Sequence, residues 1–271
     1  MKIYAIHDKE TQGDLALGYL FYYEKANAYM IELDDCLDEW DAPVLFQGLV
    51  KRGIYTVPKE IALLWVRERV IPSGRQNIGS ILKNAKLNEY NEMALLTLSK
   101  GKCSQDSCYI EEIKSEELPE KIRKRRDQNI VECFPTEEKQ ILCLFRDDSV
   151  RKLDLSMLAE HNKDMVKVLK NPDLLYAVKV GVGGYSISFD EAIEIPSSTV
   201  REEGTLLPIR AGDILGFART NIVDTTTACD MLQCSRQNLS YLVKTKKIVP
   251  IICGAKENFY TKGEIERIRN E

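Results

Sequence analysis

Side chains that can bind phosphates and base edges are concentrated near the C-terminus of the chain. Residues 235–269 contain eight Lys and Arg against three Asp and Glu, although the whole 271-residue chain has a net charge of -4. A local positive patch on an acidic protein is typical of a module that binds nucleic acid. The candidate DNA-contacting residues are Ser235, Arg236, Gln237, Ser240, Tyr241, Lys244, Lys246, Lys247 and Lys256.

Most of these candidates are predicted to share one helix. Ser235 is a favourable N-cap for a helix over residues 236–244. Three apolar residues fall on one face of that helix, namely Leu239, Leu242 and Val243. The polar candidates project from the opposite face: Gln237, Ser240, Tyr241 and Lys244. A helix that packs on one side and offers hydrogen-bonding groups on the other suits the major groove of DNA.

Each candidate has chemistry suited to one part of a duplex. Gln237 can pair with adenine through two hydrogen bonds, and Arg236 can reach guanine or a phosphate. Lys246, Lys247 and Lys256 are expected at a helix end and at the tip of a hairpin, where they would contact the DNA backbone. The helix is therefore expected to select the sequence, while these lysines add affinity that does not depend on sequence.

The elements around this helix are predicted by the same local signals. Residues 225–232 begin with cap-type residues and predict a first helix, and residues 233–234 form a short turn. Residues 248–260 predict a hairpin with a central turn. Thr261 and Glu264 have the spacing of a capping box, which predicts a closing helix.

This order of helix, turn, recognition helix, hairpin and terminal helix resembles the excisionase-like and MerR-like winged helix-turn-helix modules. Their pattern Thr-x-x-x-Ala-Ala-x-x-Leu-Gly-Val-Ser-Arg is echoed by residues 225–236, and x-Leu-x-x-x-Gly-Lys-Leu is echoed by residues 242–248. Gln233 replaces the turn glycine and Lys246 replaces the glycine that ends the recognition helix, so mild backbone strain is expected at both positions. The resemblance implies that residues 205–271 bind duplex DNA.

Residues 127–204 predict a small α+β domain. Two strands are expected around a turn at residues 146–149, and a second hairpin and two short helices follow. The predicted strands cover residues 141–145, 150–155, 174–182 and 185–189, and the predicted helices cover residues 157–160 and 165–169.

This middle segment resembles the bacterial domain-of-unknown-function family numbered 2442. The residues that carry the resemblance are Phe145, Asp147, Asp154 and Leu155. Asp148 stands where that family usually has glycine, and Phe189 stands where it usually has tryptophan. The family has no established chemistry, so the resemblance implies a fold, and its members often lie beside toxin-antitoxin-like partners.

Residues 1–126 predict an N-terminal α+β domain that the sequence does not assign to a family. Its aromatic runs at residues 19–23 and 29–33 predict a hairpin. Helical periodicity follows, with predicted buried faces that include Val44, Leu64 and Leu98. The role of this domain is open, and binding of a partner protein or sensing of a ligand are the alternatives.

A charged segment at residues 111–127 ends the N-terminal domain. Its acidic residues come first and its basic residues last, which is the order that a helix dipole favours. We interpret it as a solvated linker helix. The alternative is a patch that binds nucleic acid or directs localisation.

The sequence lacks the usual signatures of catalysis. It contains no phosphate-binding loop, dinucleotide fingerprint, nucleophile elbow or metal-protease motif. Only two His are present, and the acidic pairs at residues 34–35 and 147–148 are expected in solvated turns. These observations predict a protein that is not an enzyme and that takes no cofactor.

Cysteine usage and hydropathy predict a cytoplasmic location. The eight Cys are scattered through apolar runs and lack the short spacings of metal ligands, which predicts reduced thiols and no metal site. No apolar run approaches the roughly 20 residues of a membrane span, and the N-terminus lacks the layout of a signal peptide.

Together these patterns predict an α+β protein of three small domains at residues 1–126, 127–204 and 205–271, the last a winged helix-turn-helix. The predicted function is sequence-specific transcriptional regulation by a homodimer on double-stranded DNA. A single small module reads few base pairs, which is why a dimer is expected. The alternative is an antitoxin-like interaction module that binds a toxin-like partner protein and regulates its own operon.

Overall fold

The computed structural model describes residues 1–9, 16–190 and 192–270, and its secondary structure is of the mixed α+β type that the sequence predicts. The chain divides into two compact units, Met1–Ile130 with Val180–Ser188 and Val131–Lys179 with Phe189–Glu271. Residues 180–188, which were predicted to be part of the middle segment, belong to the first unit. The division into three domains stays a prediction. Among the described residues, no helix combines the length and the apolar character that a membrane span requires.

The first unit is built mainly from the N-terminal region of the chain. Its elements are β1 (Lys2–Asp8), β2 (Gly18–Tyr23), β3 (Ala28–Leu33), α1 (Val44–Val50), β4 (Thr56–Val57), α2 (Lys59–Arg67), α3 (Ile78–Asn84), α4 (Glu92–Leu98), β5 (Cys108–Ile113) and α5 (Glu120–Arg126). The strands form an antiparallel sheet in the order β4-β3-β2-β1-β5. The predicted aromatic hairpin is confirmed as β2 and β3, with Tyr23 opposite Ala28 and a left-handed Asn27 in the turn.

Both faces of this sheet are covered, because alternate side chains of a strand point to opposite faces. One face packs on α1, α2 and α4 around the buried side chains of Phe46 and Trp65. The other face includes Phe21 and packs against Leu118 and Ile122. Burial on two sides accounts for the almost uninterrupted apolar character of β2.

The buried helix faces are predicted only in part. Val44, Leu64 and Leu98 were expected to be buried, and all three are exposed, Val44 to 85%. Leu49, Trp65 and Leu96 were predicted on the same buried faces, and their burial is confirmed. Each helix has only one side against the sheet, so an apolar residue on the opposite side remains in solvent.

Helix α5 is not the solvated linker that its charge pattern suggested. Ile122 is fully buried against the sheet. The Arg126 guanidinium lies 4.4 Å from the centre of the Phe21 ring. Asp35 lies in an exposed turn as predicted, but Asp34 and Asp35 also pair with Lys121 and Arg125. The basic residues of α5 hold the helix on the sheet.

A buried carboxylate accounts for the position of Arg125. Glu32 on β3 is only 1% exposed and accepts hydrogen bonds from Thr56 Oγ1 at 2.8 Å and Arg125 Nη1 at 2.9 Å. Burial raises the pKa of Glu32, while the Arg125 charge opposes that effect. Tyr185 is buried in the same face of the sheet, which ties residues 180–188 to the first unit.

The chain continues with elements that belong mainly to the second unit. They are β6 (Ile130–Pro135), β7 (Gln140–Phe145), β8 (Val150–Asp154), α6 (Leu155–Ala159), α7 (Lys163–Lys170), α8 (Pro172–Tyr176), β9 (Lys179–Val180), β10 (Ser186–Ser188), β11 (Glu194–Pro196), α9 (Ser197–Glu203) and β12 (Thr205–Leu206). Strands β12, β8, β7 and β6 form a sheet in that order. The predicted hairpin of β7 and β8 is confirmed, with Ile141 opposite Leu153.

The second predicted hairpin of this region is wrong at its start. Residues 174–176 were expected in a strand and lie in helix α8. Pro172 occupies the first turn, where its missing N–H costs nothing, and the Asn171 side chain accepts hydrogen bonds from Asp173 N and Leu174 N. The two short predicted helices are confirmed as α6 and α7, with ends shifted by one or two residues.

The remaining elements of the chain are α10 (Ala211–Asn221), β13 (Ile222–Asp224), α11 (Thr225–Leu232), α12 (Arg236–Lys244), β14 (Ile252–Cys253), β15 (Asn258–Thr261) and α13 (Lys262–Asn270).

The second acidic pair, Asp147 and Asp148, also has a structural role. Asp148, in the left-handed region at φ 70°, accepts hydrogen bonds from Gly212 N and Arg210 Nε, both at 2.7 Å, at the start of α10. Asp147 pairs with Arg201 at 2.6 Å. Residues 147–148 lie in the predicted turn, where Asp147 is exposed, and both carboxylates also anchor later helices.

Candidate nucleic-acid interface

The nine candidate residues are carried by a small group of elements at the end of the chain. Helices α11 and α12 have the bounds that the sequence predicts. Strands β13, β15 and β14 form an antiparallel sheet with β15 in the centre, and α13 follows directly. The buried residues of this group are Ala228, Cys229, Leu239, Ile248, Tyr260 and Ile265.

Side-chain hydrogen bonds fix where these elements begin. The Asp224 carboxylate accepts a bond from Thr227 N at 2.6 Å and starts α11, and these backbone bonds lower the pKa of Asp224. Thr225 Oγ1 bonds to the backbone of Asn258 at 3.1 Å and thereby holds β15 against the start of α11. Glu264, the expected member of a capping box, accepts a bond from Val249 N at 3.0 Å.

The two positions where glycine was expected adopt glycine-like backbone conformations. Gln233 has φ 52° and Lys246 has φ 56°, which is the left-handed region. Non-glycine residues reach this region at a cost of roughly 1–2 kcal/mol. The expected strain is therefore present at both positions, and it accompanies two sharp helix ends.

Helix α12 presents one polar side and one packed side. The Ser235 hydroxyl accepts a bond from Asn238 N at 3.2 Å, which confirms Ser235 as the N-cap. Leu239 is 1% exposed in the core of this group. The opposite side forms a shallow depression whose lining consists of Arg236, Gln237, Ser240, Tyr241 and Lys244. Five of the nine candidates therefore lie together on one exposed surface, and Tyr241 is 61% exposed there.

The other candidates lie beside this surface or apart from it. Ser235 precedes the helix, and Lys246 and Lys247 follow it, all three exposed. Lys256 is exposed in the turn between β14 and β15. In the part of the chain that the structure describes, no carboxylate pairs with the five cations of this region, which are Arg236, Lys244, Lys246, Lys247 and Lys256.

One contact of this surface was not predicted from the sequence. Arg236 Nη2 donates a hydrogen bond to Thr226 Oγ1 at 2.7 Å, so the first turn of α11 supports the side chain at the start of α12. The two residues are ten positions apart, and their contact depends on how the helices pack. The triple Thr at residues 225–227 was the available signal, but it indicates a cap and not a contact.

The described residues contain no group of three or more His, Cys, Asp or Glu that could hold a metal ion. All eight cysteines are free thiols. Comparisons of the chain with protein-family models, with curated proteins and with solved structures find no match. A functional assignment therefore depends on the chemistry of the surface itself.

Proposed function

We propose that residues 205–271 form a winged helix-turn-helix domain and that the protein is a sequence-specific DNA-binding transcriptional regulator of the cytoplasm, not an enzyme. The observation that carries this proposal is the division of α12. Leu239 packs inward, and five polar or basic side chains share the outward surface. A helix that enters the major groove needs this division.

The assigned roles follow from the chemistry of each side chain. Gln237 would read an adenine, and Arg236 would reach a guanine or a phosphate from the start of the helix. Lys246 and Lys247 at the helix end, with Lys256 in the hairpin turn, would neutralise phosphates. Cations without carboxylate partners are suited to this role, because no internal ion pair has to be broken first.

The experiment that tests this proposal is selection of bound duplexes from a random pool by the full-length protein. We expect the natural chain to enrich a short motif. The Gln237→Ala variant should enrich the same motif but accept other bases at one position. Lys170→Ala serves as the control, because Lys170 is an exposed lysine on α7 outside the proposed interface. Absence of binding at low salt, or binding without any enriched motif, would refute sequence-specific recognition.

We also propose that the active form is a homodimer, because a single module of this size reads too few base pairs for a useful specificity ratio. The enriched motif should then contain two half-sites. Sedimentation with and without the selected duplex tests this directly, and a monomer under both conditions would contradict the dimer.

A second candidate function is supported by exposed apolar side chains on α10 and in the segment that leads into β14. Phe217 on α10 is 63% exposed and lies two residues after the exposed Leu215. Val249, Ile251 and Ile252 are exposed before and within β14. Exposed apolar clusters often mark protein-binding surfaces, which favours an antitoxin-like module that binds a toxin-like partner protein.

Two observations distinguish the candidates. A toxin-like gene adjacent to that of this protein would favour the second, and its co-expressed product should then bind the full chain. Phe217→Asp should abolish that complex and leave DNA binding intact. If the two proteins do not associate, the partner-binding role is wrong.

A further inference from the structure

Two cysteines lie at the turn between α11 and α12. Gln233 N donates to Asp230 O at 3.2 Å, and Cys234 N donates to Cys229 O at 3.1 Å. With the left-handed Gln233 between them, these bonds form a Schellman motif. A contact between the side chains at these two positions frequently accompanies the motif, and here the Cys234 thiol is close enough to shift the pKa of Cys229. The geometry of the helix end therefore brings the two thiols together.

The surroundings of the two sulfur atoms differ. Cys229 is buried among the core residues of this region, whereas Cys234 packs on the same core and remains partly exposed. Burial raises the pKa of the Cys229 thiol, and the neighbouring Cys234 thiol raises it further through charge and hydrogen bonding. An oxidant from solvent would therefore reach Cys234 first and leave Cys229 as the second, internal thiol.

The chain contains a natural control for this arrangement. Cys103 and Cys108 have the same spacing along the sequence. The Cys103 thiol, however, donates to Asp106 Oδ1 at 3.6 Å, and Cys108 N donates to the same oxygen at 3.1 Å. Spacing alone is thus shared by both pairs, whereas the Schellman contact is found at Cys229 and Cys234.

We propose that Cys229 and Cys234 form a peroxide-sensitive dithiol whose oxidation to a disulfide weakens DNA binding by α12. The disulfide itself is independent of the proposed function. Its effect on DNA binding rests on that function.

The reaction uses hydrogen peroxide as the oxidant. The Cys234 thiolate attacks one peroxide oxygen, the O–O bond breaks, and the departing hydroxide takes up a proton to become water. Cys234 is then a sulfenic acid. The Cys229 sulfur attacks the Cys234 sulfur, which forms the S–S bond and releases hydroxide, and the thiol proton converts that hydroxide into a second water. Two thiols lose two electrons and two protons, and one peroxide is reduced to two waters.

The consequence for α12 follows from the length of the new bond. An S–S bond measures about 2.05 Å, which is much shorter than a contact between two thiols. Cys229 is held in the core, so Cys234 has to move toward it. The next residue, Ser235, is the N-cap of α12, and Arg236 and Gln237 follow. Displacement of the helix start should cost at least one base contact, which corresponds to a loss of affinity of roughly tenfold.

Peptide mass spectrometry of the full-length protein tests the disulfide. Tryptic residues 220–236 contain both Cys229 and Cys234, and tryptic residues 103–114 contain both members of the control pair. After treatment with hydrogen peroxide and then with an alkylating agent, the first peptide should carry no alkyl group. Its mass should be lower than that of the reduced, unalkylated peptide by two hydrogen atoms. The control peptide should be alkylated at both thiols. Cys234→Ser and Cys229→Ala should each abolish the cross-link.

The same samples are then measured for binding to the selected duplex, before oxidation, after oxidation and after reduction. We expect a roughly tenfold loss that reductant reverses and that Cys234→Ser prevents. Alkylation of both thiols after peroxide, overoxidation of Cys234, or equal cross-linking of the control pair would overturn the dithiol. A cross-link without any change in affinity would overturn the regulatory effect. Failure of the reduced protein to bind any duplex would instead count against the proposed function and leave the disulfide result standing.

Discussion

The number of unpaired cations in the proposed interface predicts how DNA binding should respond to salt. Five exposed cations lie between Arg236 and Lys256, and no carboxylate of the described chain pairs with them. If each neutralises one phosphate, the logarithm of the association constant should fall with the logarithm of salt concentration at a slope of about -4.5. A rise in salt from about 50 to about 200 mM should then weaken binding roughly 500-fold.

Lys256→Ala removes one of these contacts and should change the slope to about -3.6, because each phosphate contributes about 0.9. The cost should depend on salt, with affinity falling about 15-fold at about 50 mM salt and only about fourfold at about 200 mM. The loss should be the same for the selected duplex and for an unrelated one, because the backbone carries no sequence information.

Fluorescence anisotropy with labelled duplex over a series of salt concentrations measures these quantities for the full-length protein. Lys170→Ala is the matched control, since it removes the same charge from an exposed position on α7. It should leave the slope unchanged. The reasoning would be refuted if the natural chain gave a slope shallower than about -2, or if both variants changed the slope equally.

Three further predictions concern the recognition helix, the first unit and an ion pair. Gln237→Ala should relax the preference at one base position by roughly 1–3 kcal/mol in a titration against single-base variants, and α12 is misassigned if Tyr241→Ala and Gln237→Ala both leave the preference intact. Ile122→Ala should lower the free energy of unfolding in urea by about 2–5 kcal/mol, whereas Lys124→Ala on the exposed side of α5 should have little effect; equal small losses would favour a solvated linker. Burial raises the pKa of Asp147, but its hydrogen bonds to Arg201 and Ser149 outweigh burial and bring the pKa below 3.8. The ionised Asp147 therefore stabilises the fold above that pH, and this contribution is lost below it. Asp147→Asn should make acid unfolding, monitored by circular dichroism, less steep. An unchanged unfolding profile would argue against the ion pair with Arg201.

Local signals in the sequence were sufficient for the elements of the proposed interface. The cap at Ser235 and the apolar spacing of α12 depend only on residues within one or two turns, and the observed helix has the predicted bounds. The same holds for the hairpin of β7 and β8, where alternation and the turn residues agree. In these segments, packing has not overridden local preference.

Long-range contacts explain two of the features that were not predicted, and an overlooked local signal explains a third. The charge pattern of α5 gave no sign that Arg125 meets a carboxylate 93 positions earlier, at Glu32. The apolar run at residues 174–176 suits a strand, but the cap at Asn171 and the proline after it set a helix. On the surface of α12, the support of Arg236 by Thr226 depends on the packing of two helices. Periodicity describes one element at a time and has no information about such pairs.

The membership of Val180–Ser188 in the first unit has a consequence for synthesis on the ribosome. The first unit consists of Met1–Ile130 and Val180–Ser188. It is therefore complete only after residue 188 has been synthesised. At a synthesis rate of about 5–20 residues per second, Tyr185 is added roughly 3–12 seconds after residue 130. During that interval the face that holds Phe21 and Ile122 lacks one of its buried aromatic rings. Fragments that end near residue 130 should therefore expose apolar surface and bind chaperones, and domain boundaries for expression should lie beyond residue 188.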